Sequence, residues 1–207
     1  MIAKSVSSIG KDGIIPPRAR ILAAAADLFY RHGIKAVGVE AIAEAAGTNK
    51  MTLYRHFASK DELVAEYLRQ SANASDGCWE RFTQAHPNDP LAQLCAWLEE
   101  MARHLAEPHE RGCALANAAI ELPEKDHPAR RVIEEYKRAQ RRRLVRLSED
   151  AGLNDPAMLA DELHLLLEGA RVTAQSVGTE GLATRLLHMG KAMIAAHTPP
   201  LIRLGMR

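Results

Sequence analysis

The sequence predicts an all-α protein of about nine helices, and three observations support this fold class. Alanine and leucine are abundant and aromatic residues make up only 4% of the chain, a composition that suits helices because these side chains lose little rotamer freedom there. Apolar residues recur three and four positions apart in segment after segment. Glycine and proline separate these segments, and a hydrophobic content of 47% is sufficient to form a core.

The first half of the chain begins with a predicted loose arm over residues 1–16, which is rich in Ser and Gly and ends in a proline pair. Pro17 suits a first helical turn because its missing N–H is not needed there, and Gly33 marks the stop of that helix. Asn49 is a predicted N-cap, and Ser59 with Glu62 forms a predicted capping box. Helices are therefore expected over 17–32, 39–45, 50–57 and 60–83.

The second half of the chain is also predicted to be helical. Leu91, Leu94 and Leu98 begin an apolar stripe on one helix face, and breaks are expected where Pro and Gly cluster, including residues 123–128. The remaining helices are predicted over 91–105, 113–122, 132–147, 157–177 and 181–197.

Charge and cysteine content exclude several classes of protein. The net charge is +1, so charge alone does not indicate a nucleic-acid partner. Cys78, Cys95 and Cys113 are odd in number and widely spaced, so we expect buried thiols and no metal site or cofactor. No apolar stretch approaches the roughly 20 residues of a membrane span, and the start of the chain does not resemble a secretion signal. We expect a cytoplasmic protein.

Residues 33–63 are the most informative segment, because their pattern is that of a helix-turn-helix. Leu53 and Phe57, four apart, are expected to point inward, and Gly47 can take the left-handed conformation that the turn needs. The outward residues of the second helix and its cap, within residues 49–56, carry amide, hydroxyl, cationic and imidazole groups, which suit the edges of bases and the phosphates of a major groove. From periodicity alone, a polar surface on an ordinary helical hairpin stays open as the alternative.

This segment resembles the DNA-binding signature of the tetracycline-repressor (TetR) family of bacterial regulators. The resemblance covers roughly residues 17 to 65. The matching positions keep the family's spacing over the whole motif, which makes the signal specific. They are Gly33, Val39, Ile42, Ala43, Ala46, Gly47, Leu53, Tyr54, His56, Phe57, Ser59, Lys60 and Leu63.

The resemblance implies a transcriptional regulator, in most family members a repressor, that binds a palindromic operator as a homodimer and is released by a small-molecule effector. Val37 and Gly38 replace the family's usual hydroxyl pair, so one cap and one phosphate contact are expected to be missing. The expected DNA-binding residues are Asn49, Lys50, Met51, Thr52, Tyr54, Arg55, His56 and Lys60.

Residues 66–207 are expected to form a ligand-binding and dimerisation domain after a helix-turn-helix domain over 17–65. Short segments around Arg111–Asn117 and His127–Arg130 resemble a subgroup of TetR ligand domains. A mostly apolar pocket could be lined by Trp97, Met101, Cys113, Asn117, Tyr136 and His164, with plain core packing as the alternative for each. The predicted dimer interface lies on the last two helices and comprises Leu163, Leu166, Leu167, Ala170, Ala174, Leu182, Leu186, Met189 and Met193.

Two other functional classes are weighed against the regulator. An enzyme is not indicated, because the chain has no Gly-rich phosphate loop and no hydrolase or metalloprotease motif, and the pairs Glu100/His104 and His164/Glu168 are expected to be ion pairs on the solvent side. A helical adaptor without operator binding is the alternative, with the run of arginines at 141–143 as its basic patch. We expect that run to be a solvated helix face.

Overall fold

The computed structural model describes residues 15–107 and 111–200, and it confirms the all-α prediction. Those residues contain nine helices and no strand. Residues 1–14 of the predicted arm lie outside the described residues. The helices are α1 (Pro17–His32), α2 (Val39–Ala45), α3 (Lys50–His56), α4 (Lys60–Ala85), α5 (Pro90–Ala106), α6 (Ala114–Glu121), α7 (Pro128–Asp150), α8 (Pro156–Val177) and α9 (Leu182–His197).

Most helix ends lie within two residues of the predicted ones, because local capping signals set them. Pro17 opens α1, and the helix ends just before Gly33, whose positive φ of 88° is accessible to glycine without a steric cost. The largest difference is α7, which begins at Pro128 inside the predicted break. Proline at that position starts a helix rather than interrupting one, because the first turn needs no N–H from it.

The first compact unit runs through Asp76 and also includes Cys113–Tyr136, so α6 and the start of α7 belong to it with α1, α2 and α3. Its core holds Ile21, Leu53, Leu68 and Leu115, each at most 2% exposed. Helices α1, α2 and α3 pack on one another. The burial of these aliphatic side chains is the main stabilising contribution to this unit.

The second compact unit consists of Gly77–Gly112 together with the chain from Lys137 onward. Here α9 packs on both α5 and α8. The core includes Leu94, Leu98, Leu159 and Leu163, and Trp79 stacks on Trp97 with the ring centroids 6.0 Å apart. The close approach of α5 and α9 depends on Gly190, since a Cβ at that position would meet a methyl group of Leu98 at 2.6 Å.

The boundary predicted near residue 65 differs from the division into compact units, because the first unit also contains residues 66–76 and 113–136. Compact units are defined by packing, whereas the predicted domains are defined by function, one for DNA binding and one for ligand binding and dimerisation. The domain assignment therefore stays a prediction. No helix among residues 15–107 and 111–200 is both long enough and apolar enough to span a bilayer.

Candidate nucleic-acid interface

The turn between α2 and α3 is closed by backbone hydrogen bonds. The Thr48 N–H donates to the Ala43 carbonyl (2.9 Å) and the Gly47 N–H donates to the Glu44 carbonyl (2.9 Å). Together they satisfy two carbonyls at the end of α2 in the arrangement known as a Schellman motif. Gly47 has a φ of 60°, which confirms the left-handed conformation predicted for it.

Helix α3 starts and packs as the sequence predicts. The Asn49 side chain accepts a hydrogen bond from the Thr52 N–H at 2.9 Å and so caps the helix. Leu53 is fully buried and Phe57 is 1% exposed, which confirms their inward direction. They pack in the first core with Ile42 of α2, which holds the two helices together.

The opposite side of α3 faces solvent. Met51 is 70% exposed and Tyr54 is 42% exposed, and Lys50, Arg55 and His56 are also exposed. The exposed side therefore offers cations, an imidazole, a phenol and a flexible apolar side chain. Such a surface can make charge-assisted hydrogen bonds to phosphates and contact base edges. Thr52 is only half-buried and lies beside the cap made by Asn49.

Lys50 makes an ion pair that was not predicted from the sequence. Its Nζ lies 2.6 Å from Oε1 of Glu40 on α2, and both side chains are more than half exposed. The hydrogen bond between them lowers the pKa of Glu40 and raises the pKa of Lys50. At neutral pH the pair is therefore ionised, and Glu40 neutralises one of the cations of the exposed surface. Ten residues and a turn separate the two side chains, so helical periodicity could not pair them.

Lys60, expected to hold a phosphate, is partly buried at the start of α4. Its Nζ donates to the Ile34 carbonyl at 2.7 Å and lies 5.9 Å from the centre of the Phe29 ring. On the other side of the same loop, the Glu121 carboxylate accepts the N–H groups of Ile34 (2.7 Å) and Lys35 (3.1 Å). The loop before α2 is thus held by two charged side chains, of which sequence reasoning missed Glu121.

The capping box at the start of α4 differs in one detail from the prediction. The Ser59 hydroxyl accepts the Glu62 N–H at 3.0 Å, as expected. The Glu62 carboxylate, however, accepts the N–H of Ala58 at 2.7 Å instead of the N–H of Ser59. The Glu62 side chain therefore satisfies a backbone donor one residue earlier, in the segment that links α3 to α4.

The predicted ligand-binding residues divide between the two units. Trp97, Met101 and His164 belong to the second unit, and Cys113, Asn117 and Tyr136 belong to the first. Trp97 and Tyr136 are buried in the cores of their units, and the others are partly buried. The ligand site stays a prediction. The three cysteines are partly buried, where buried thiols were expected.

A partly buried charged cluster in the second unit lies beside two of these residues. The Glu168 carboxylate pairs with Lys137 (2.9 Å) and Arg171 (2.6 Å), and Nη2 of Arg171 lies 3.9 Å from the Met101 sulfur. Burial alone would raise the pKa of Glu168, but the two cations lower it. Burial also lowers the pKa of His164, and Lys137 lowers it further. Glu168 thus pairs with two cations in a partly buried cluster, where the sequence suggested a solvent-side pair with His164.

The predicted dimer residues are mostly part of the second core. Five of the nine are buried within the chain itself, whereas Met189 is 48% exposed and the other three are partly buried. The buried five are Leu163, Leu167, Ala170, Leu182 and Leu186. Exposed apolar side chains on α8 are Met158 (52%), Leu165 (71%), Val172 (59%) and Val177 (82%), and the first three follow one another at seven-residue intervals. Exposure within a single chain does not test contacts with a second copy, so the dimer interface stays a prediction.

A cleft of about 440 Å³ lies in the first unit, between the loop before α2, the start of α4 and the loop before α7. It is lined largely by polar and charged side chains, and none of the six predicted ligand-binding residues lines it. The lining residues are Ile34, Lys35, Lys60, Asp61, Leu122, Glu124, Asp126, His127 and Pro128.

The arginine run on α7 is engaged within the second unit. Arg141 makes two hydrogen bonds to the Asp161 carboxylate, at 2.6 and 2.8 Å. The Arg143 guanidinium lies 5.8 Å from the centre of the Trp79 ring. Two of the three arginines therefore contact their own chain, which reduces the basic surface that an acidic partner of an adaptor could use.

Comparison with known proteins gives a consistent result for residues 21–67, which match the sequence pattern of bacterial regulatory proteins of the tetR family. Over 52 residues the chain is 46% identical to the HTH-type transcriptional repressor KstR2 of Mycobacterium tuberculosis, a match that covers 25% of this chain and 26% of that protein. The chain thus aligns with about a quarter of the length of this relative.

Solved structures match over most of the chain. A TetR-family transcriptional regulator from Streptomyces coelicolor aligns with a TM-score of 0.83 and 27% identity, over 88% of this chain and 96% of the other. A tetR-type transcriptional regulator from Streptomyces avermitilis aligns with a TM-score of 0.75 and 32% identity, over 88% of this chain and 98% of the other.

Proposed function

The chain belongs to the TetR family of bacterial regulatory proteins and is a DNA-binding transcriptional regulator, and from this premise we propose that it is a dimeric repressor which a small molecule releases from its operator. The observation that carries the proposal is the exposure of Lys50, Tyr54 and Arg55 on α3, a helix that the buried Leu53 anchors to the first core. A rigid helix whose polar side is open to solvent can enter a major groove. The operator of such a regulator lies on cytoplasmic DNA, so we propose the cytoplasm as its location.

The DNA-binding role is tested by replacing Lys50 and Tyr54 together with alanine. Both side chains are exposed, so the fold is expected to persist while binding to the DNA beside the protein's own gene is lost in a mobility-shift assay at stated salt. The matched control is Arg131→Ala on α7, which also removes one exposed cation, at 86% exposure. Equal loss in the control and the double variant, or unchanged binding in the double variant, would contradict the role of α3.

A second copy is needed because two recognition helices must reach half-sites about 34 Å apart on one face of the duplex. The seven-residue spacing of Met158, Leu165 and Val172 places three exposed apolar side chains along one side of α8, and this surface supports pairing with another copy. Operators bound by two-fold dimers are palindromic, so we propose the same here.

Sedimentation analysis at micromolar concentration tests the dimer. Leu165→Glu should yield monomers with weak operator binding, because a charge would be buried in the interface. Ile120→Glu is the matched control: Ile120 is an equally exposed leucine isomer at 76% exposure, but it lies on α6 in the first unit. A monomeric parent protein, or an identical response of both variants, would argue against this interface.

The effector is proposed to bind in the second unit near Met101 and His164, where a charged cluster borders an apolar core. Both tryptophans of the chain, Trp79 and Trp97, stack within this core, so tryptophan fluorescence reports on this unit alone. Compounds that change this fluorescence should release the protein from DNA because they favour a conformation with lower DNA affinity. Compounds that bind the second unit but never alter DNA affinity would speak against effector control.

A further inference from the structure

Three side chains with metal-binding atoms meet between α4 and α5 in the second unit. Cys78 lies on α4, and Glu100 and His104 lie four residues apart on α5, which places them on the same helix face. The Cys78 sulfur, a Glu100 oxygen and a His104 nitrogen all lie within 4.8 Å of one another. The three residues are partly buried, and the Glu100 side chain is only 16% exposed.

The spacing of these atoms is close to that of a tetrahedral zinc site. Zinc bonds of roughly 2.3 Å to sulfur and 2.0–2.2 Å to nitrogen and oxygen place the ligand atoms about 3.4–3.6 Å apart. The His104 Nε2 and Glu100 Oε1 atoms are already 3.2 Å apart. Since no pair of the three atoms is more than 4.8 Å apart, the sulfur has to approach by at most about 1.2–1.4 Å, which a rotation of the Cys78 side chain can provide.

The guanidinium of Arg81 already contacts both the Cys78 sulfur and the Glu100 carboxylate. Nη2 of Arg81 lies 3.0 Å from the Cys78 sulfur and 3.4 Å from Oε1 of Glu100. The Arg81 side chain is 61% exposed, so it can turn into solvent without leaving a buried charge. Arg103 also holds Glu100 through two hydrogen bonds of 2.8 Å and is half exposed. The arrangement favours positive charge between the sulfur and the carboxylate.

We propose that Cys78, Glu100 and His104 form a binding site for a divalent cation of the zinc class. A thiolate, an imidazole and a carboxylate are the ligands that zinc accepts, whereas calcium and magnesium require oxygen ligands. On binding, the thiol releases its proton to solvent, the metal ion replaces the Arg81 N–H at the sulfur, and a water molecule completes four-fold coordination. This site goes beyond the proposed regulation by an effector and does not depend on it.

Cobalt(II) and zinc(II) added to the purified full-length chain test the site. Cobalt is expected to bind with a sulfur-to-cobalt charge-transfer band, and zinc is expected to displace it and to compete with a chelating dye. Cys78→Ser should abolish the band, while the matched control Cys95→Ser, which replaces another partly buried cysteine of the same unit, should keep it. Glu100→Gln and His104→Gln should each weaken zinc binding at least tenfold.

Arg81→Met distinguishes a metal site from a cluster held only by polar contacts, because it leaves the three ligands in place and removes the guanidinium that contacts the sulfur, while Arg103 stays on Glu100. Zinc affinity is expected to stay the same or to rise severalfold in this variant. The proposal is overturned if cobalt gives no sulfur band, if Cys78→Ser binds zinc as tightly as the parent, or if Arg81→Met loses binding while its circular dichroism matches that of the parent.

Discussion

Replacing Glu40 with glutamine is expected to strengthen DNA binding and to make it more sensitive to salt. In the free protein, Nζ of Lys50 lies 2.6 Å from the Glu40 carboxylate, and the hydrogen bond raises the pKa of Lys50 and lowers the pKa of Glu40. Both side chains are exposed, so the pair contributes little to stability and the fold should not change. Removal of the carboxylate charge frees one cation for a phosphate on the DNA.

The magnitude follows from counterion release. One additional phosphate contact steepens the dependence of log affinity on log salt by about 0.9, so the gain in affinity is about 3.5-fold larger at ~50 mM than at ~200 mM salt. If two subunits bind together, the slope changes by about 1.8 and the difference reaches about 12-fold. Fluorescence anisotropy on a random-sequence duplex measures this effect, because phosphate contacts do not depend on base sequence.

Glu44→Gln is the matched control, because Glu44 is an exposed acid on the same helix, α2. It removes the same charge but releases no lysine, so its salt slope should stay close to that of the parent protein. Two results would refute the reasoning: an unchanged slope in Glu40→Gln, or equal slopes in the two variants. The first result would mean that Lys50 does not contact DNA. The second would mean that the loss of any negative charge on α2 has the same effect, whether or not a lysine is released.

Further predictions concern the supports of the fold. Gly190→Ala should destabilise the protein by about 1–2 kcal/mol, or roughly 2–8 °C in Tm, because the added Cβ meets the buried Leu98 and overpacking exceeds the gain in helix propensity. Gly77→Ala, whose Cβ would lie in open space within α4, should instead stabilise the protein by about 0.5–1 kcal/mol. Calorimetry measures both changes, and two changes of the same sign would contradict this reasoning. Glu121→Ala removes a carboxylate that accepts two backbone N–H groups, including that of Ile34, and should cost about 2 kcal/mol in urea unfolding. Unchanged stability in that variant would show that the loop before α2 does not depend on this contact.

The helix-turn-helix could be predicted from the sequence because its determinants are local. The cap by Asn49, the left-handed turn at Gly47 and the inward pair Leu53 and Phe57 each depend on residues within a few positions of one another. The same locality explains the good agreement of helix ends. The exception at Glu62, which reaches Ala58, shows that a long flexible side chain can choose between neighbouring backbone donors.

The apolar faces of α8 and α9 could not be assigned to core or interface from the sequence. Leu163 and Leu165 are both leucines two positions apart, yet one is 1% exposed and the other 71% exposed. A helix with apolar residues on more than one side has no internal feature that says which side meets its own chain. The expected dimer residues therefore include members of the second core such as Leu186 but not the exposed Leu165, and the interface itself stays a prediction.

By itself the sequence determined the all-helical class, most helix ends and the exposed polar side of α3, since hydrogen bonding and capping act over a few residues. Only the tertiary structure decided which distant groups meet: Lys50 with Glu40, Glu121 with the loop before α2, and Cys78 with the Glu100 and His104 pair. These contacts depend on which helix faces which, and that is settled by the joint burial of apolar surface over the whole unit, which no short stretch of sequence contains.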